Sequence, residues 1–408
     1  MSSPRVPLAI GLYLAVVQLL FALTWVVYVI YLPQLAESAG LPRSVVPWLL
    51  MADQLIFIAC DLAVGLASDR AVRLLGKLGA GVVAATLASM LTFVALPFAA
   101  PGASPLVLLG LTIVWAATSS LLRAPPLTLL GRYVAKPAQP LMVGLLMLGN
   151  GLAAAFAPYL GLQLKGLDPR GPFVLSSLAL AAVTLGMVAA ERALARAGAP
   201  ALSAPAVLRS TPVRPVTAIP GFLLAALLAA CAFQLQANIV QAPLYLRQAP
   251  PSQLPWLMPL FWGGFNLALL PASLATRRWG GLPVMAVGAA GAALAAGASG
   301  LADGLPTLGA TLALAGACWA GLLTSAFSSA LAFGHVGREG QLSGALNALL
   351  AAAALTRMAL AAGLAPSPAV AAGWAWLPAA GFAVVAGGLW LILRRTGPSA
   401  AGSAPTCP

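Results

Sequence analysis

Long apolar runs alternate with short polar breaks along almost the whole chain. A helix needs roughly 20 apolar residues to cross the hydrocarbon of a bilayer. By that measure the sequence predicts twelve spans: 8–32, 46–66, 78–99, 106–130, 141–164 and 172–190, then 219–245, 255–275, 282–302, 306–333, 341–364 and 369–393. Barrel strands would alternate apolar and polar residues over short segments. These runs are continuous, so helices are the way this backbone is satisfied in lipid. The expected fold class is an all-α membrane protein.

The longest polar break begins at Glu191 and contains Pro200, Pro205, Pro212 and Pro215. It predicts a six-helix bundle over 1–191, a cytoplasmic linker over 192–218 and a second six-helix bundle over 219–395. The tail, 396–408, is rich in Gly, Pro, Ser and Ala and is expected to be disordered.

Composition sharpens this picture. Hydrophobic residues make up 61% of the chain and charged residues 7%, too few charges to keep a surface in water. Membrane lipid is the expected partner. The net charge of +13 would suggest nucleic acid in a soluble protein, but here its placement reads as topology. With the N-terminus inside, fifteen Lys and Arg fall in cytoplasmic segments, and four (Arg43, Lys165, Arg170 and Arg247) fall outside. That bias predicts a multi-pass protein of the bacterial inner membrane with both termini cytoplasmic. The run 8–32 is too long for a signal peptide and has no convincing small-residue cleavage site, so it reads as a retained span. The four cysteines have neither disulfide nor zinc spacing.

The second predicted span ends in Gly65-Leu66-Ala67-Ser68-Asp69-Arg70-Ala71-Val72-Arg73. This segment resembles the signature that major facilitator superfamily transporters carry between spans two and three, with Ala67 in place of the usual Leu and Val72 in place of a second Gly. Ala272-Ser273-Leu274-Ala275-Thr276-Arg277-Arg278 reads as a second copy that lacks the acid. The resemblance implies two duplicated bundles. The physical reading of the motif is separate from the family. Gly65 lets a neighbouring helix approach, and Asp69 can receive a helix N-terminus or an Arg, latching that face. Arg70 and Arg73 belong to the latch motif and also serve topology.

Charges inside a bilayer are costly and mark function by default. Four are candidates for coupling or ion pairing: Asp53, Asp61, Arg123 and Arg357. If the helices pack as the resemblance implies, Asp61 meets Arg123. A cation beside the acid competes with a proton for it, so moving Arg123 away would let a proton take its place. A permanent structural pair is the other reading, and both stay open. Asp53 is a second titratable site or lies in a wet vestibule. Arg357 binds an anionic group or pairs with Asp53. Asp61-x-x-x-Gly65 and Arg123-Ala124-Pro125-Pro126-Leu127 also resemble the glycoside–pentoside–hexuronide cation symporters, typified by the melibiose carrier, whose span 2 acids serve cation coupling. That makes a sugar-like substrate one option.

Gln234, Asn238 and Gln241 share one helical face and are expected to line a cavity or glue helices. Asn150, Asn266 and Asn347 are further lining candidates, and Gln54 shares a face with Asp61. Gln18, Trp25 and Tyr28 on span 1 are candidates for stacking or hydrogen bonding, with the membrane interface the commoner place for Trp and Tyr. His335, the only histidine, reads as a loop residue.

No phosphate-binding loop, paired metal ligands or Ser/His/Asp set emerges. The expectation is therefore a non-enzyme without cofactor. It is read as a monomeric secondary active transporter of a small solute, with a proton or Na⁺ as coupling ion. A non-transporting sensor or scaffold, and a lipid flippase on the same fold, are the alternatives.

Overall fold

A computed structural model describes residues 8–75, 78–102, 104–203, 218–334, 338–363 and 374–396. His335, most of the expected linker and the expected tail beyond Thr396 lie outside the described residues. Twelve helices are long and apolar enough to cross a membrane. Spans 1 to 6 are Leu8–Ser38, Arg43–Arg70, Gly79–Ala99, Pro105–Tyr133, Lys136–Gln163 and Arg170–Arg196. Spans 7 to 12 are Ala218–Leu246, Pro251–Trp279, Gly281–Gly300, Leu305–Phe333, Glu339–Ala362 and Leu377–Arg395.

The two halves repeat one wiring. In the first, span 1 packs on spans 5 and 6, span 3 on spans 4 and 6, and span 2 on span 4. In the second, span 7 packs on spans 11 and 12, span 9 on spans 10 and 12, and span 8 on span 10. Each contact of the second set is one of the first with six added to both numbers. Two seams join the halves, span 2 against span 11 and span 5 against span 8, and the same operation exchanges them.

Packing exploits small residues, as expected where lipid removes the hydrophobic drive between helices. Gly264 of span 8 lies on the backbone of Ala313, and Gly316 of span 10 lies on the backbone of Phe261. The outer surface is the reverse of a soluble protein's: Leu267 is 83% exposed and Leu175 72% exposed. Large side chains this bare suit an apolar solvent.

Two helices depart from regularity, and one runs further than expected. Span 4 breaks into Pro105–Ser119 and Pro125–Tyr133, with a tight turn over Ser120–Leu122. Pro125 and Pro126 carry no amide hydrogen to bond the preceding turn. Span 7 contains a π turn over Gln236–Val240. The helix that begins at Met187 continues to Ser203, well into the segment expected as linker. Its Ala and Leu content favours helix, and Leu194 is buried, which anchors it. The last span is described over Leu377–Arg395, and its expected start at 369 lies outside the described residues.

Candidate functional site

A cavity of about 450 Å³ lies between the halves. It is lined from spans 1, 2, 4, 5, 7, 8, 10 and 11, and no described residue of spans 3, 6, 9 or 12 reaches it. Each lining helix contributes a single face. Span 1 presents Gln18, Phe21, Ala22 and Trp25, and span 11 presents Asn347, Ala351, Ala354 and Arg357, in both cases at the three- and four-residue spacing of one helical side.

The floor of the cavity holds an ion pair. Arg123 Nη2 lies 3.3 Å from Asp61 Oδ2. Arg123 sits in the turn where span 4 breaks, so the helix interruption delivers a long cationic side chain to the cavity wall. Its guanidinium also lies over the Phe57 ring, 4.7 Å from the centroid, an attraction that strengthens away from water. The pair is lopsided: the Asp61 side chain is 0% exposed and that of Arg123 18% exposed. Arg123 lines the cavity and Asp61 lies behind it.

Asp53 does not pair with Arg357. It is buried, and it accepts a hydrogen bond from the Tyr28 hydroxyl at 2.8 Å. A wet vestibule is therefore not its setting. Tyr28 is no interface residue either: it is buried and packs on Trp115, with centroids 4.5 Å apart. Phe93 stacks on the far side of the same cluster, 5.0 Å from Trp115. Trp25 stacks on Trp115 at 6.0 Å and lines the cavity. The Tyr28–Asp53 contact joins spans 1 and 2 across 25 residues, and no local spacing announces it.

Arg357 lines the cavity without a partner. Its Nε is buried, and no hydrogen bond or ion pair reaches the side chain among the described residues. The Asn347 amide nitrogen, also buried, is likewise unpartnered.

The amides divide. Asn150 lines the cavity and accepts a hydrogen bond from Gln18 at 2.9 Å. Gln234 and Asn238 line it too, with Asn238 donating to Gln234 at 3.0 Å. Gln241 does not. It is buried and donates to the Met258 carbonyl at 3.1 Å, tying span 7 to span 8. A π turn over Gln236–Val240 takes in Asn238 and ends just before Gln241, so the face expected from a regular period is split. Asn266 is also absent from the wall: its side chain abuts Gly151 in the seam between spans 5 and 8.

At the end of the bundle where span 2 finishes, Asp69 crosses the halves. Its carboxylate accepts hydrogen bonds from the backbone N–H groups of Gly340 and Gln341, both at 2.8 Å, at the start of span 11. The positive end of a helix meets a negative charge there. Gly65 and Gly344 make the approach possible, since a Cβ on either would strike the carbonyl of Gly340 or Asp61 across the seam. Arg70 is exposed, and the Arg73 side chain lies outside the described residues.

Glu191, expected only to open the linker, repeats this device within one half. It accepts from the backbone N–H groups of Leu78 and Gly79, at 2.7 and 2.8 Å, and so caps span 3. In the second seam, Thr276 occupies the position matching Asp69. Its hydroxyl bonds Ser325 at 2.7 Å within its own half. A gap of about 300 Å³ separates the end of span 8 from the start of span 5.

No family model matches the sequence, and no curated protein matches it. Solved structures do. The human organic anion transporter TETRAN is 14% identical, with a TM-score of 0.69 over 96% of this chain and 99% of that one. A bacterial homologue of the iron transporter ferroportin, in an outward-facing state, is 15% identical, with a TM-score of 0.70 over 95% of this chain and 100% of that one. The E. coli fucose:proton symporter is 13% identical, with a TM-score of 0.64 over 95% and 99%. At these identities the likeness carries the architecture and nothing finer. Twelve spans, one wiring repeated in two halves and a cavity between them make this the major facilitator superfamily fold.

Proposed function

We propose that the chain is a secondary active transporter that carries a small solute across the bacterial inner membrane. The two bundles rock about the central cavity, and the Asp69 face opens and closes as the gate on the cytoplasmic side, where both termini lie. The observation that carries this reading is the arrangement of the two seams and the cavity. An acid on one half fastens a helix end on the other, and a buried ion pair lies between that contact and the solute space.

A proton is the coupling ion in this reading, and Asp61 is its carrier. Arg123 belongs to the cavity wall and Asp61 to the layer behind, so a solute that draws Arg123 toward itself leaves the acid without its cation. A proton then binds Asp61 and restores neutrality. Sodium fits less well, because it calls for several oxygen ligands and no cluster of carboxylates surrounds Asp61 among the described residues. The test is solute accumulation in proteoliposomes under an imposed proton gradient. Asp61→Asn should uncouple uptake, leaving exchange down a solute gradient but no gradient-driven accumulation. Full accumulation by that variant overturns the assignment.

A further inference from the structure

The formal charges that line the cavity are all positive. Arg123 and Arg357 reach the wall, while Asp53 and Asp61, the acids of the neighbouring interior, are buried behind it. Arg123 is matched by Asp61 at 3.3 Å. Arg357 is matched by nothing among the described residues, and its Nε is both buried and unpartnered. An unpaired, half-buried guanidinium within a membrane span is costly unless a ligand supplies the counter-charge. One uncompensated cation calls for one negative charge.

Besides its amides, the wall carries a set of flat aromatic faces. Phe233 and Trp319 stack face to face, with centroids 4.3 Å apart and planes 1° from parallel. Trp262 meets Phe233 edge-on at 5.8 Å, and all three line the cavity. Trp25 and Phe57 present rings from the opposite half. A space of about 450 Å³ is within the range of small-molecule sites. Asn347 lies on the Arg357 face of span 11, ten residues nearer the floor, about 15 Å along the axis. Its unpartnered amide nitrogen offers a donor at the far end of the same wall.

We infer that the cavity is built for a monoanionic aromatic acid, with the acid group on Arg357 and the ring among Trp262, Trp319 and Phe233. A cationic solute would meet two guanidinium groups, and a neutral one would leave Arg357 unpaired. A sugar would find amides but no counter-charge to supply. The inference rests on the transporter reading only in taking this cavity as the solute site.

The experiment is equilibrium dialysis of the purified full-length protein in lipid nanodiscs against 2-naphthoate, 2-naphthamide and 2-naphthylmethylammonium, which share a ring system and differ in charge. Naphthoate should bind about tenfold or more tightly than the amide, and the ammonium weakest of the three. Arg357→Gln should erase the preference for the acid while leaving amide binding in place, which also shows that the variant is folded. Arg357→Lys should keep part of the preference. Equal or tighter binding of the amide or the ammonium overturns the inference. So does no naphthoate binding, or a preference that survives Arg357→Gln. Flux separates the two readings. Anion-selective binding without transport in proteoliposomes would leave the solute class standing and remove the transporter. Proton-driven flux of neutral solutes, unaffected by naphthoate, would do the opposite.

Discussion

The carboxylate of Asp69 accepts a hydrogen bond from the backbone N–H of Gly340 at 2.8 Å, across 271 residues of sequence. With its second bond to Gln341, it fixes the end of span 2 to the start of span 11. Hydrogen bonds to charged groups contribute about 1.5–3 kcal/mol each. Asp69→Asn should therefore weaken closure at this end and raise the open population about tenfold or more. The measurement is the alkylation rate of a single cysteine at Leu127, in a background lacking the native cysteines, with an impermeant maleimide applied from the Asp69 face. An unchanged rate would remove Asp69 from the gate.

Glycine positions give a paired prediction. A Cβ on Gly344 would strike the Asp61 carbonyl, whereas one on Gly81 or Gly110 meets open space. Gly344→Ala should hold the Asp69 end apart and speed the same alkylation. Gly110→Ala should leave the rate alone and raise thermal stability slightly, by up to about 1 kcal/mol from helix propensity. Equal behaviour of the two would mean that backbone proximity at the seam is not what closes it.

Breaking the ion pair from the cation side should be more damaging than dissolving it. Arg123→Gln leaves a fully buried carboxylate without its cation, a loss of about 3–5 kcal/mol for pairs of this kind. The double variant Asp61→Asn/Arg123→Gln should recover much of that stability. Thermal unfolding of the singles and the double, read as a mutant cycle, checks it. Additive losses would show that the two groups do not interact energetically.

Glu191 should separate support from function. Glu191→Ala strips two buried N–H groups of their acceptor, at about 1–3 kcal/mol for a group left unsatisfied. The unfolding temperature should fall while Leu127 alkylation stays at the parent rate, because the contact lies inside one half.

Gln234 and Gln241 should part company in the same way. Gln234→Ala should weaken solute binding with little effect on stability. Gln241→Ala should reduce stability by about 1 kcal/mol, the ordinary worth of a hydrogen bond, with binding intact. The reverse pattern would place the cavity on the other side of span 7.

These contrasts show which features the sequence makes legible. Span number and the acid of the Gly65–Arg73 segment are readable because hydropathy and a local motif survive any packing. Asp61 and Arg123 could be brought together only through the resemblance, since nothing in their own spacing relates spans 2 and 4. Gln241 glues span 7 to span 8 and does not line the cavity with Gln234 and Asn238, because a π turn that no residue type announces interrupts the 3.6-residue period there. Tyr28 was assigned to an interface because tyrosines often lie there; its partner Asp53 sits on another helix. Glu191 stands at the edge of the longest polar break, and an acid at the end of an apolar run looks like water-facing sequence. It is buried because span 3 begins beside it with two free N–H groups.

The wide turn in span 7 has a mechanical meaning. Gln234 before the turn and Asn238 within it line the solute space, and Gln241 just after it is tied to Met258. A helix that already carries one extra residue per turn at this point can pass that surplus along its length by exchanging neighbouring backbone bonds, without breaking in two. The surplus residue thus lets one helix serve two directions, presenting its amide pair to the cavity while the stretch beyond stays moored to span 8.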